Sequence, residues 1–274
     1  MAHTFNRAAA QILPALDTVT LERDGHVLLI GLNRPHKRNS FDRAMLADLS
    51  RAYALLESDP SVRAGVLFAH GDHLTAGLDL ADVGPGIASG ADPFPDDGAD
   101  PFRLAGGWTT PLIAVAQGWC MTLGIELLLA ADIRIAAADA RFTQLEVRRG
   151  IYPFGGATIR LPREAGWGNA MRWLLTGDEF DAAEAHRIGL VQEVADDAAA
   201  ALARARDIAH TIADRAAPLG VQATLASAHV ARAQGDAAAV ERLRPAVIEL
   251  FASEDAAEGV QSFIERRDAH FSGR

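Results

Sequence analysis

Short apolar runs that alternate with helix-period stretches constrain this chain more than any other feature. Val19 to Arg23 and His26 to Leu32 are rich in strand formers and are joined by Asp24-Gly25, a strong hairpin signal. Ala64 to Ala69, Leu112 to Ala116 and Ile133 to Ala136 have strand length and read as buried strands. Between them, Met45, Leu46, Leu49, Tyr53 and Leu56 recur at helical spacing, with Ser40 expected as the cap and Asp59-Pro60 as the stop. The run Ile125 to Ala131 is too continuous for periodicity to assign. From about Gly155 the pattern turns helical, with Asp181 and Glu184 as a capping-box variant closed by Gly189, and Val191 to Val194 as a last strand. Beyond Asp196 come four alanine-rich helices. Alternating β and α for about 195 residues, then helices, predicts an α/β core with helices covering a sheet. The tail has few large apolar residues, so it is expected to pack on the core or on a neighbouring subunit.

Residues 84–107 stand apart. Glycines and prolines punctuate them, and Asp92, Asp96, Asp97 and Asp100 add charge, so one long mobile loop is expected. Gly84-Pro85-Gly86 is not a dinucleotide fingerprint, because the third glycine is misplaced and no helical pattern is evident after it.

Charge and composition remove several function classes. A net charge of −10 opposes broad nucleic-acid binding, although Arg34, His36, Lys37 and Arg38 form a local basic cluster suited to a small anion. Met1 to Arg7 lacks the order of a secretory signal, and no run of about 18 apolar residues suggests a membrane span. Cys120 is the only cysteine, which fits a reducing compartment, and a cytoplasmic location is expected. His70 and His73 lack a third ligand at a recognised spacing, so no metal is expected.

Two acidic residues lie in unexpected surroundings. Glu126 lies in the apolar run Met121 to Leu129; it is either a buried carboxylate or a first-turn glutamate set against a helix dipole, and the local pattern supports both equally. Glu146, beside Arg148 and Arg149, reads by itself as a solvated surface group, and Asp79 as a turn former.

Several segments together resemble the enoyl-CoA hydratase/isomerase (crotonase) family: Leu32-Asn33-Arg34-Pro35 with Asn39, Gly77-Leu78-Asp79-Leu80, Gly118 to Leu127 and Phe142 to Leu161. So do Thr176-Gly177 with Gly189-Leu190-Val191, and Ser253-Glu254-Asp255 with Phe263 and Arg267. The resemblance implies an α/β fold, a crotonase-like spiral of ββα repeats with a C-terminal helical region. Residues 1–195 would form the core with the site, and 196–274 an oligomerisation region and lid. It implies an enoyl-CoA hydratase adding water to a 2-enoyl-CoA, an isomerase or hydrolase being the alternative and a non-catalytic acyl-CoA scaffold the weakest.

By the same resemblance, the N–H groups of Leu78 and Leu123 face the thioester oxygen, Glu126 helps activate water and Glu146 protonates C2. Leu123 stands where the family usually has glycine, and Phe154 replaces a glycine of the turn containing Gly155 and Gly156. Arg34, Lys37, Arg38, Ala76, Leu78, Asp79 and Leu80 are the expected CoA contacts, although Lys37 and Arg38 could equally be solvated. The family's usual basic residue after Asp79 is missing, since Ala81 and Asp82 follow Leu80, so an arginine from the tail is expected to help. No separate cofactor is implied, CoA being part of the substrate; a homotrimer or dimer of trimers is.

Overall fold

The computed structural model describes residues 12–274, and the segment Met1 to Arg7 lies outside them. A hairpin of β1 (Val19–Asp24) and β2 (Val27–Leu32) opens the chain, followed by α1 (Arg43–Ser58) and β3 (Ala64–Ala69). Asp24 pairs with Val27, so the turn is Gly25-His26, one residue later than the sequence suggested. Gly25, at φ 58°, takes the left-handed conformation this turn needs. The cap of α1 is Asp42 rather than Ser40: its carboxylate accepts from Met45 N at 2.9 Å, while the Ser40 carbonyl accepts from Arg34.

Next come α2 (Leu80–Ala88), β4 (Leu112–Ala116), β5 (Trp119–Met121), α3 (Leu123–Ala130), β6 (Ile133–Ala137) and β7 (Arg141–Thr143). The start of 84–107 is therefore helical, against expectation. Pro85 sits inside α2, but its neighbours Gly84 and Gly86 meet nothing that a Cβ would strike, and Asp79 O takes the N–H groups of Asp82 and Val83. A short exposed helix anchored at its first turn accommodates the interruption.

After a 3-10 turn (Leu145–Arg149) follow α4 (Ala157–Ala165), α5 (Trp167–Thr176), β8 (Phe180–Asp181), α6 (Ala182–Arg187) and β9 (Glu193–Ala195). The last strand begins two residues after the expected start, because Gln192 first closes a side-chain bond onto Arg134 N. Asp181 caps α6 through Glu184 N at 2.9 Å, as expected. The tail holds α7 (Ala198–His210), α8 (Pro218–Gln234), α9 (Asp236–Phe251) and α10 (Glu254–Glu265).

Six strands form one sheet in the order β1-β2-β3-β4-β6-β9, antiparallel at β1-β2 and parallel thereafter; β5, β7 and β8 form a second, smaller sheet. Strand alternation divides the core in two. Leu28, Ile30 and Leu32 face one cluster, and Val27 and Leu29 face the other, where Ala201, Ala205, Ala209 and Ala213 pack on the sheet. Alanine at every fourth position makes that stretch flat enough to sit close to the strands.

Candidate active site

Register between two short segments builds the site. Thr75 and Cys120 form an isolated parallel bridge, with Thr75 N donating to Trp119 O at 2.9 Å and Met121 N to Thr75 O at 3.1 Å. Continued by equal steps, this pairing sets Gly77 beside Thr122 and Leu78 beside Leu123. The first segment is held on its other side as well: Phe41 N donates to Gly77 O, and Asp79 N to Phe41 O, both at 2.8 Å. Alternation along the chain then turns the N–H of Leu78 away from Phe41. Leu123 is the first residue of α3, where an N–H has no intrahelical partner. Neither N–H has a hydrogen-bond acceptor among the described residues.

Two side chains hold this arrangement, Thr75, which the sequence did not single out, and Asn39, which it did. Thr75 donates its hydroxyl to Asn39 O at 2.6 Å and accepts from Gly77 N at 3.0 Å. Asn39, fully buried, donates to the carbonyls of His70 and His73, both at 2.9 Å. His73 Nδ1 in turn accepts from Trp119 N at 3.1 Å, and His70 Nε2 lies 2.8 Å from Thr20 Oγ1. Only the local motif around Asn39 was visible in the sequence; the partners come from distant strands.

The link between the segments is strained. Thr122 has φ 49° and ψ −114°, a conformation natural to glycine and foreign to a β-branched residue. Such a backbone costs about 1–3 kcal/mol and persists only where the surroundings dictate it. Gly77 is required opposite, since a Cβ there would come within 2.1 Å of Thr122 Oγ1.

Glu126 and Glu146 line one cavity of about 420 Å³. Glu126 satisfies both readings of its sequence, being in the first turn of α3 and buried. Burial pushes its carboxyl up to about 7, against hydrogen bonds from the N–H groups of Ala157, Gly155 and Gly156 and the charge of Arg160. The Ala157 bond measures 3.1 Å.

Glu146 is buried too, which overturns its reading as a solvated group. Burial again pushes it up to about 7, its own N–H opposing and the Glu126 charge adding to the rise. The amide of Gln144, with nitrogen turned inward, donates to the two Glu146 oxygens at 3.0 and 2.9 Å and to Thr122 O at 3.3 Å. Arg148 turns away to Thr176 O and Asp178, leaving the space between the acids clear of its charge.

The remaining cavity wall is mostly apolar. Ile87, Phe94 and Phe102 come from the 84–107 segment, and Ile151 and Phe154 from the turn before α4. Ala76, Leu78 and Leu80 also line it, whereas Asp79 stands at the N-cap of α2. Of the basic cluster, Arg34 is committed to the Ser40 carbonyl and to Asp42 at 2.9 Å. Arg38 lies over the cavity-lining Trp119 ring at 4.7 Å, and Lys37 is exposed. Cys120 is fully buried under α3 and burial raises its thiol, a packing role.

Residues 22–274 match the family model described as enoyl-CoA hydratase/isomerase. The chain belongs to this family. An enoyl-CoA hydratase of Mycobacterium tuberculosis is 34% identical over 262 residues, covering 93% of this chain and 96% of that protein. A crotonyl-CoA hydratase of Syntrophomonas wolfei is 33% identical over 258 residues, covering 94% and 98%. The crystal structure of a probable enoyl-CoA hydratase/isomerase from Mycobacterium abscessus superposes with a TM-score of 0.91 at 56% identity, covering 94% and 99%. The architecture is thus the crotonase fold, and the chain is a crotonase-family enzyme. Among the described residues no helix is long and apolar enough to cross a membrane.

Proposed function

We propose that this enzyme is an enoyl-CoA hydratase, adding water syn across the 2,3 double bond of an enoyl-CoA to give a 3-hydroxyacyl-CoA. The observation that carries the reading is the pair of carboxyls in one cavity, both raised to about 7, beside two acceptor-free N–H groups. Water is a poor nucleophile toward C3, so one carboxylate must orient and deprotonate it. The enolate that forms at C2 must then be protonated. Glu126 assists the water and Glu146 delivers the proton, the two sharing one water molecule. Leu78 N and Leu123 N stabilise the enolate oxygen. An isomerase needs only one carboxyl to shuttle its proton, which weighs against that alternative.

Arg38, Lys37, Ala76, Leu78 and Leu80 are the proposed CoA contacts, with Arg34 and Asp79 bracing the turn and helix beneath them. Exposed Val247, Phe251, Val260, Phe263 and Ile264 on α9 and α10 suit burial against another copy in a cytoplasmic trimer or dimer of trimers, whose tail covers the acyl-CoA. Mixing the folded protein with crotonyl-CoA is expected to remove the ultraviolet absorbance of the conjugated enoyl thioester, with a product heavier by one water. Unchanged absorbance across a series of acyl lengths would refute the assignment.

Gly155, the first of Glu126's three backbone donors in the chain, supplies a second test. A Cβ on Gly155 would meet Glu126 Oε2 at 2.7 Å and the Phe102 ring at 2.7 and 2.8 Å. Gly155→Ala is therefore expected to lower kcat by about 10- to 100-fold through displacement of the carboxyl, while circular dichroism stays unchanged. Parental turnover in that variant would show that Glu126 needs no such fixed position.

A further inference from the structure

Thr122 lines the cavity, yet nothing in the fold accounts for its hydroxyl. Its backbone is fully used: the N–H donates to Thr143 O at 2.8 Å, and the carbonyl accepts from Ile125 N at 2.9 Å. The hydroxyl has no hydrogen-bond partner among the described residues, while its oxygen occupies the space a Cβ on Gly77 would take. It therefore sits between the peptide leading to Leu78 and the one leading to Leu123. Glycine would take φ 49° freely, so threonine here opposes the backbone's own preference and gains no internal bond in return.

We propose that Thr122 Oγ1 is a third hydrogen-bond donor to the thioester carbonyl oxygen, beside the N–H groups of Leu78 and Leu123. The inference rests on the acyl-CoA reading above. An oxygen that becomes an enolate gains charge and can accept one donor more than two amides provide. A hydroxyl rotates about a single bond, so it can follow that oxygen without moving the backbone. Because the interaction strengthens as charge develops, it acts on kcat more than on KM.

Three variants separate the hydroxyl from the backbone strain. Thr122→Val keeps the β-branch and loses the hydroxyl, Thr122→Ser keeps the hydroxyl, and Thr122→Gly removes both. With crotonyl-CoA, Thr122→Val is expected to lose at least about 10-fold in kcat with KM within about threefold, while Thr122→Ser stays near the parent. Thr122→Gly is expected to be as slow as Thr122→Val but to melt at a higher temperature than the parent, its backbone being relieved.

A second readout does not depend on hydration. A bound 3-ketoacyl-CoA forms an enolate with its own ultraviolet absorbance, and the enolate fraction should fall in Thr122→Val and Thr122→Gly only. Equal kcat and equal enolate absorbance in parent and Thr122→Val would overturn the proposal. Should Thr122→Val not fold, Thr122→Gly against Thr122→Ser makes the same comparison, and equality there overturns it too. A parent that hydrates nothing but shows the hydroxyl-dependent enolate would refute the hydratase reading and leave this one standing. A parent that neither hydrates an enoyl-CoA nor binds a 3-ketoacyl-CoA would refute both.

Discussion

Replacing Glu146 by glutamine is expected to lower the hydration rate of a short 2-enoyl-CoA by about 10²–10⁴, and replacing Glu126 to do much the same. Each loss removes one of two proton-transfer steps while leaving the N–H groups of Leu78 and Leu123 in place. Glutamine is isosteric, and the surroundings accept it: Gln144 can rotate its amide to face either polarity, and Ala157 N retains an acceptor at position 126. KM should therefore move little while kcat collapses. The double variant is expected to be hardly slower than the worse single one, because two groups sharing a water act as a unit. Rates for the three variants, measured with circular dichroism on each, decide the matter. If either single variant keeps more than about a third of the parental kcat, its carboxyl takes no part in proton transfer.

The strands were legible because each is a short, nearly uninterrupted apolar run, and Ala64–Ala69 and Leu112–Ala116 have the expected bounds. Helix α2 was not, since Gly84-Pro85-Gly86 carries every local mark of a breaker and only its anchoring to Asp79 makes it helical. Ser40 and Asp42 are both good caps two residues apart, and the choice falls to Asp42 because Arg34 claims the Ser40 carbonyl. At the site, the positions of Glu126 and Glu146 followed from family resemblance, but the burial of Glu146 could not. Its neighbours Arg148 and Arg149 suggest solvent, whereas Arg148 is drawn off to Asp178, more than thirty positions away from Glu146 in sequence. Thr75 and Gln144 gave no signal, since a buried threonine or glutamine announces its partners only in three dimensions.

The raised carboxyls should also couple both activity and stability to pH. Hydration needs one ionised and one protonated glutamate. With both groups near 7 and each charge opposing the other, the pair titrates in two macroscopic steps lying on either side of that value. The rate is thus expected to follow a bell with its maximum near neutrality, falling in acid as the base is protonated and in alkali as the acid is lost. Stability behaves differently. Glu126 titrates near its ordinary 4.5 in the unfolded chain and near 7 in the folded one, so the native state holds a proton that the unfolded state releases. Its contribution is fully present below about pH 4.5 and is lost as pH rises through about 7, a change on the order of 3 kcal/mol. Glu126→Gln should therefore melt higher than the parent at about pH 8, where the parent buries a charge, and the two should converge near pH 4.5. Urea unfolding of parent and variant at both pH values checks it. A variant less stable than the parent at the alkaline value would mean that the backbone donors of Gly155, Gly156 and Ala157 outweigh desolvation, so that Glu126 is ionised well below neutrality and the acidic limb of the bell moves down with it.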